Sequence, residues 1–237
     1  MGIFSNFSKK TLYYPGCMLK GVLTEEQENY KKIFNKLGID FVMLSSEEVC
    51  CGSPVYNAGY RKDARKLAQK NFDLFKAKKI TKILTPCPGC YNMFKNEYPK
   101  LLRDWNIEVE HATQAILKKL KNKRIKNWTE EVVTYHDPCH LGRYSGIYDE
   151  PREIIGLLGG NLKEMVHNRE NSLCCGAGGG LRANFAGVAK KIAKKRTNEA
   201  PKDAEKILSP CGLCHANLST ADGRSEEFSI WVLRRLG

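Results

Sequence analysis

The sequence predicts an α/β protein built as two tandem, pseudo-symmetric units, each a small, mostly parallel sheet flanked by helices. Three observations carry this. Short apolar strand-like runs alternate with helix-length amphipathic stretches, the order that gives parallel sheets. The chain repeats itself: TKILTPCPGCY (81–91) matches EKILSPCGLCH (205–215), and YYPGCMLKG (13–21) matches YHDPCHLGR (135–143). The ten cysteines divide evenly, as C-x32-CC-x35-CxxC in the first half and C-x34-CC-x35-CxxC in the second. Repetition on this scale marks a duplicated unit. The expected boundaries are 11–115 and 130–237, with the basic stretch 116–129 as linker.

Each element has a local reason. LYYPG (12–16) reads as a strand. Thr24 and Gln27 are spaced as a capping box opening a helix. Tyr30, Ile33, Phe34 and Leu37 share one face of that helix, and Gly38 ends it. FVML (41–44) reads as a buried strand entering the first CCG loop. A helix follows over 60–78, with Ala64, Leu67, Ala68, Phe72 and Phe75 inward; then come the strand KILT (82–85), a helix opened by CPGC, and the strand IEVEH (107–111). The second half repeats the order: VVTYH (132–136), a helix begun by Pro151, LKEMV (162–166), the second CCG loop, a helix near 183–199, KILS (206–209), the CGLC turn and the strand FSIWVL (228–233). In parallel sheets the strand C-terminal ends face the functional crevice. Every cysteine cluster follows a strand or begins a helix, so five sulfurs per half can meet at one rim.

A chain of 237 residues, 42% hydrophobic and 27% charged, has the make-up of a globular protein with a real core. No apolar run approaches the ~18 residues that span a bilayer, and MGIFSNFSKK has neither a signal-peptide core nor, with Asn6, the myristoylation pattern. The expected location is cytoplasmic, with no direct membrane insertion. The net charge of +13 reads either as attraction to something acidic or as solvated lysines spread along the chain. No nucleic-acid signature is interleaved with those charges, so no nucleic-acid partner is expected.

In a reducing compartment ten cysteines point to metal ligands or redox groups rather than structural disulfides. Adjacent cysteines also pair poorly with each other. Zinc closes at four ligands and a cubane iron–sulfur cluster takes four, so five per half leaves one over. That fifth thiol is either free and reactive or belongs to a larger, irregular cluster. The glycines favour a cluster: Gly52 in the first loop, and Gly176, Gly178 and Gly179 in CCGAGGG, offer backbone N–H groups around an anionic core. Pro86 and Pro210 stiffen the entry to each CxxC turn, and a cysteine opening a helix is favoured as thiolate. A thioredoxin-like dithiol is disfavoured by two copies that each carry three further cysteines. CGLCH (211–215) matches the c-type haem pattern, but its counterpart CPGCY lacks the histidine. GAGGGLR lacks the ending of a phosphate loop. His136 and His140 in HDPCH could be ligands or proton donors; the first repeat has Tyr14 and Met18 there, which favours a structural or substrate-side role.

The phrases CCGSP, PCPGCY, YHDPCHLGR, YDEPRE and CCGAGGG resemble the cysteine-rich CCG domain, over nearly the whole chain from Tyr13 to Leu218. Two in tandem resemble the catalytic subunit of heterodisulfide reductases, B-type and D-type. The same pair occurs in iron–sulfur subunits of glycolate and lactate oxidases and of anaerobic glycerol-3-phosphate dehydrogenase. The resemblance implies two non-cubane [4Fe-4S] clusters. Cys17, Cys50, Cys51, Cys87 and Cys90 would hold one; Cys139, Cys174, Cys175, Cys211 and Cys214 would hold the other. A disulfide substrate would lie between them, with His136, His140 and Tyr14 as candidate proton donors. The ferredoxin segment usual in the D-type branch is missing from this sequence. The expected partners are therefore a separate ferredoxin-like, C-type iron–sulfur subunit and a flavoprotein, with a small anionic thiol or disulfide as substrate. Two other readings stay open: an electron-transfer subunit of a flavin-dependent 2-hydroxyacid oxidase, and a non-enzymatic zinc or iron scaffold.

Overall fold

The computed structural model describes residues 10–44, 47–123 and 130–237. In the first half, β1 (Lys10–Tyr13) leads into α1 (Gly16–Gly21) and α2 (Thr24–Leu37). After the first cysteine pair come α3 (Ser53–Asn57), α4 (Arg61–Ala77), β2 (Ile80–Thr85) and α5 (Pro88–Asn92). A π turn at Met93–Glu97 carries α5 into α6 (Tyr98–Leu101), and β3 (Glu108–His111) runs directly into α7 (Ala112–Leu120). The second half holds β4 (Val132–Tyr135), α8 (Asp149–Leu157), β5 (Asn161–Leu162), α9 (Leu181–Asn184), α10 (Ala186–Thr197), β6 (Lys206–Ser209), α11 (Gly212–Leu218), β7 (Ser225–Glu227) and α12 (Phe228–Leu236). Among the described residues no helix is long and apolar enough to cross a membrane.

Both sheets are parallel. Their strand orders are β1-β2-β3 and β5-β4-β6-β7. Val42 makes a single parallel bridge to Leu12, on the edge of β1 away from β2. That bridge stands where β5 stands beside β4, so the two sheets share one topology. The expected strands FVML and LKEMV are thus reduced to one bridge and two residues. Two backbone bonds, Tyr13 N to Val42 O at 2.9 Å and Val42 N to Thr11 O at 2.8 Å, fix the first.

Two further expectations are corrected. FSIWVL is a helix, not a strand; the strand is Ser225–Glu227 just before it. The Glu227 carboxylate accepts from Ser229 N at 2.7 Å and caps the helix, which then buries Phe228, Trp231, Val232 and Arg235 at helical spacing. A six-residue run with five apolar residues does not separate the two periods. The Thr24–Gln27 capping box is also not formed, because α2 starts at Thr24 itself with Leu23 as cap and no side-chain bond. A capping box does open α7: the His111 side chain accepts from Thr113 N, and His111 N donates to Gln114 Oε1.

The halves do not fold as separate beads. One core joins Tyr13, Leu19, Tyr30, Ile33 and Phe34 of the first half to Val133, Tyr135, Ile154, Phe228 and Trp231 of the second. Helix α2 packs on α12, and α7 packs on α8. The described start of the expected linker is therefore helix, with Ile116, Leu117 and Leu120 buried in that shared core; 124–129 lie outside the described residues. The other face of the first sheet is packed by aromatic residues, Phe72, Phe75, Phe94 and Tyr98 among them. Among the described residues, the matching face of the second sheet carries only the small clusters around Cys175, Ala193 and Leu218 and around Met165 and Ile207. Polar groups fill the remainder, including fully buried Arg196 and Thr134.

Candidate metal centre

All ten cysteines are free thiols, and they gather at the strand C-terminal rim, five to each half. In the first half, Cys17 lies in the first turn of α1. Cys50 and Cys51 end the loop before α3; Cys87 caps α5 in an extended conformation, and Cys90 sits one turn inside it. In the second half, Cys139 follows β4, Cys174 and Cys175 precede α9, Cys211 caps α11 and Cys214 sits inside it. In both halves the second cysteine of the CC pair and the second of the CxxC turn are buried.

The CC pairs are held by their backbones. Gly52 and Gly176 are left-handed, at φ 87° and 84°, and turn their N–H groups onto Cys50 Sγ (3.4 Å) and Cys174 Sγ (3.3 Å). Asn71 Nδ2 donates to Cys50 O at 3.0 Å and the Tyr98 hydroxyl to Cys51 O at 3.1 Å. In the second half Asn217 Nδ2 donates to Cys175 O at 2.7 Å and to Ala189 O at 3.1 Å. Gly16 leaves room for the CxxC turn: a Cβ there would stand 3.1 Å from Cys90 Sγ and 3.2 Å from Cys87 Cβ. Gly178 and Gly179 lie exposed in the turn before α9.

Cys90 Sγ lies 3.2 Å from Cys51 Sγ. Hydrogen bonds from Cys50 and Cys90 hold the Cys51 thiol well below its usual range, and a bond from Cys90 lowers Cys87 as well. The donors, Cys50 and Cys90, are pushed up, chiefly by their bonds to Cys51. The second half repeats this: Cys174 and Cys214 donate to Cys175, which is pulled down while they are pushed up. Sulfurs this close cannot all ionise against one another unless a proton or a metal cation lies among them. The donor set is soft, anionic and crowded, which is what a thiolate-bound metal centre requires.

The three expected proton donors are placed differently. The Tyr14 hydroxyl is committed to Val49 O at 2.5 Å, and burial raises its pKa well above the ordinary phenol value. His136 is buried; its Nδ1 accepts from Arg196 Nε at 3.0 Å, and its ligand atom lies within 4.8 Å of Cys175 and Cys214 Sγ. His140 Nδ1 is 3.4 Å from Cys139 Sγ. Burial lowers the His140 pKa, while the fields of Cys51 and Cys175 pull it back up, so this ring feels one thiol from each half. It also lines an open cleft of about 700 Å³, with Asn92, Lys95, Lys100, Arg143 and Tyr144.

Sequence reasoning missed the polar frame behind these groups. Asp137, in HDPCH, receives a bidentate pair from Arg152 Nη1 and Nη2 at 2.8 and 2.9 Å, and the Arg169 N–H at 2.8 Å. Arg152, in YDEPRE, also holds Glu164 at 2.6 Å. Arg143 Nη1 donates to Ser172 O at 2.7 Å, tethering the chain ahead of the second CC pair. Arg196 was readable in principle: it follows Ala189 and Ala193 on the buried stripe of α10, where a charge needs a reason.

Comparison with known proteins fits this arrangement. The cysteine-rich domain family, CCG, matches residues 11–95 and again 133–219. The D subunit of the dihydromethanophenazine:CoB--CoM heterodisulfide reductase of Methanosarcina acetivorans is 36% identical over 95% of this chain and 59% of its own length. The "Probable iron-sulfur-binding oxidoreductase FadF" of Bacillus subtilis is 36% identical over 78% of this chain and 27% of its own length. The "EtfAB:quinone oxidoreductase" of Syntrophomonas wolfei is 33% identical over 86% of this chain and 30% of its own length. The chain therefore spans three-fifths or less of these relatives. Among solved structures, the glutamate racemase of Aquifex pyrophilus aligns at 16% identity and a TM-score of 0.39, over 96% of this chain and 82% of that one. The matched five-thiol sets, on two sheets of one topology, agree with that double match: the chain belongs to the CCG cysteine-rich domain family and carries the domain twice.

Proposed function

We propose that this chain is a cytoplasmic iron–sulfur subunit of a heterodisulfide reductase-like complex, which reduces a small anionic disulfide between its two halves. The observation behind this reading is the pair of matched five-thiol sets, with Cys51 and Cys90 in contact in one and Cys175 and Cys214 close together in the other, and His140, which feels a thiol of each. Five thiolates exceed what a closed zinc site takes. They suit an irregular polynuclear centre, and the resemblance to heterodisulfide reductases makes it a non-cubane [4Fe-4S] cluster in each half, one on Cys17, Cys50, Cys51, Cys87 and Cys90 and one on Cys139, Cys174, Cys175, Cys211 and Cys214. When bound, such centres supply one-electron transfer at soft sulfur-bound iron.

The protein groups then have separable tasks. Lys95 and Arg143, beside the paired Lys100 and Glu97, leave the cleft net positive, which draws in an acidic disulfide. His140 stands where a departing thiolate would need a proton. Gly52 and Gly176 direct N–H groups at sulfur and hold the CC pairs in shape. Electrons arrive from a ferredoxin-like C-type subunit and a flavoprotein. Relatives named as an iron-sulfur-binding oxidoreductase and a quinone oxidoreductase support a second reading, an electron-transfer subunit of a flavin-dependent 2-hydroxyacid oxidase that binds no disulfide.

Anaerobic isolation tests both. The proposal expects about eight irons per chain with matching sulfide, and a thiol-dependent change in an iron-centred paramagnetic signal in the complex. Stoichiometric zinc without sulfide would overturn the iron reading. Full iron with no response to any anionic thiol, and copurification with a flavoprotein, would shift the assignment to the relay.

A further inference from the structure

Tyr14 and His136 hold equivalent places in the two halves, yet they present opposite chemistry. Each follows the first strand of its sheet in chain order, and each donates its backbone N–H to the matching residue of the neighbouring strand: Tyr14 N to Leu84 O, and His136 N to Leu208 O, both at 2.9 Å. The Tyr14 hydroxyl spends its proton on Val49 O. It has no hydrogen left for a sulfur.

His136 is the reverse case. Arg196 is fully buried, and its Nε–H points at His136 Nδ1 from 3.0 Å. Its Nη1 is anchored by His167 O and Glu199 Oε2, both at 2.6 Å. A guanidinium keeps its protons throughout the physiological range. Nδ1 must therefore be the acceptor, and the ring proton must sit on Nε2. That Nε2 is buried and has no hydrogen-bond partner among the described residues. It belongs to the ring grouped with Cys175 and Cys214, whose sulfurs lie within 4.8 Å of one another and of the His136 ligand nitrogen.

A nitrogen that carries its proton cannot also bind a metal. We infer that His136 is a fixed N–H donor to the sulfur of the second-half centre, held in that tautomer by Arg196 as a positioning residue, and that the two centres are therefore unequal, with the second-half centre the more easily reduced. The physical cause is charge. Reduction adds an electron to an anionic cluster, and a donor aimed at its thiolates stabilises the more negative state. Among the described residues the first half has no such device. On α4 the stripe Ala64, Ala68, Asn71 has the spacing of Ala189, Ala193, Arg196 on α10, and Asn71 is spent on Cys50 O and the Tyr98 hydroxyl.

This inference rests on the iron–sulfur reading, and the test separates the two. The potentials of the anaerobically isolated holoprotein are measured by titration monitored by electron paramagnetic resonance, for wild type, His136→Phe and His136→Gln. His136→Phe is expected to keep full iron and to make one centre, the one lost in Cys174→Ser, harder to reduce by on the order of tenfold, about 59 mV for one electron. His136→Gln, which keeps an N–H donor, should recover part of that shift. Iron loss in His136→Phe, unchanged potentials, or equal shifts of both centres would overturn it. If that variant does not fold, wild-type protein labelled with ¹⁵N-histidine decides. A weak nitrogen coupling accompanied by an exchangeable proton agrees with the inference, and a coupling of the size of direct iron–nitrogen bonding refutes it. Zinc in place of iron would overturn the functional reading, and this inference with it.

Discussion

The hydroxyl of Tyr30 donates to Glu227 Oε1 at 3.0 Å, joining residues 197 positions apart. Tyr30 lies on α2 of the first half, and Glu227 caps α12 of the second. Both are buried, so the bond is made inside the shared core. Removing the donor leaves a buried carboxyl oxygen short of a partner. Tyr30→Phe is expected to destabilise the protein by about 1–3 kcal/mol, read from the urea midpoint at constant slope.

The same carboxyl sets a pH dependence. Burial pushes Glu227 up to about 7, against the bonds from Ser229 and Tyr30 that favour its ionised form. A folded value raised above the unfolded one means the native state holds the proton more tightly. The stabilisation is then complete below the ordinary carboxylate range and is lost as pH rises through about 7. The melting temperature is expected to fall between pH 5 and pH 8, with a smaller fall in Glu227→Gln. A slope unchanged by that substitution would remove Glu227 as the cause.

His111, the cap of α7, runs the other way. Burial lowers it to about 3, with its Nε2 set on Pro86 O at 3.2 Å. A folded value depressed below the unfolded one of about 6.5 costs stability as pH falls through that range towards 3. His111→Asn, which retains a capping side chain, should lessen the loss of stability between pH 6.5 and pH 4, measured by thermal unfolding at fixed ionic strength.

Arg152 holds Glu164 together with Asp137, which stands two residues before Cys139. Truncating one member of a buried ion pair strands the others, at about 3–5 kcal/mol. Arg152→Ala should cost that much and, by loosening the Asp137–Pro138–Cys139 turn, should lower iron bound at the second-half centre more than at the first. Arg152→Lys should restore little, since one ammonium cannot replace a two-pronged pair with Asp137 while also holding Glu164.

The two CCG glycines should differ in tolerance. Both need the left-handed conformation, which disfavours any side chain. At Gly176 an added Cβ would also stand 2.9 Å from Ala189 O and 2.9 Å from Ile192 Cβ, whereas the closest atoms to one at Gly52 are 3.7 Å away. Gly176→Ala should therefore abolish metal loading of its half or block folding, with Gly52→Ala the milder lesion. Equal iron content in both would count against this difference.

The cysteine sets, the helices around Tyr30 and Phe72, and the inner strands could be read from the sequence because each rests on local spacing. Helix α12 could not, because a six-residue run with five apolar residues satisfies two periods and the deciding cap, Glu227, lies just before it. The Asp137–Arg152–Glu164 frame was hidden for another reason. Its members sit in three quoted stretches, HDPCH, YDEPRE and LKEMV, but pairing across a loop leaves no periodic trace. The opposed roles of Tyr14 and His136 depend on Val49 and Arg196, which only the folded chain brings to them.

A common interior binds the lobes like two leaves glued along one spine. Cutting the chain between them would strip grease from α2 and α12 at once, so either lobe made alone should clump rather than stand. The same glue sets the width of the mouth beside His140: whatever enters must already match that gauge, since lobes that share their filling do not swing shut around a guest.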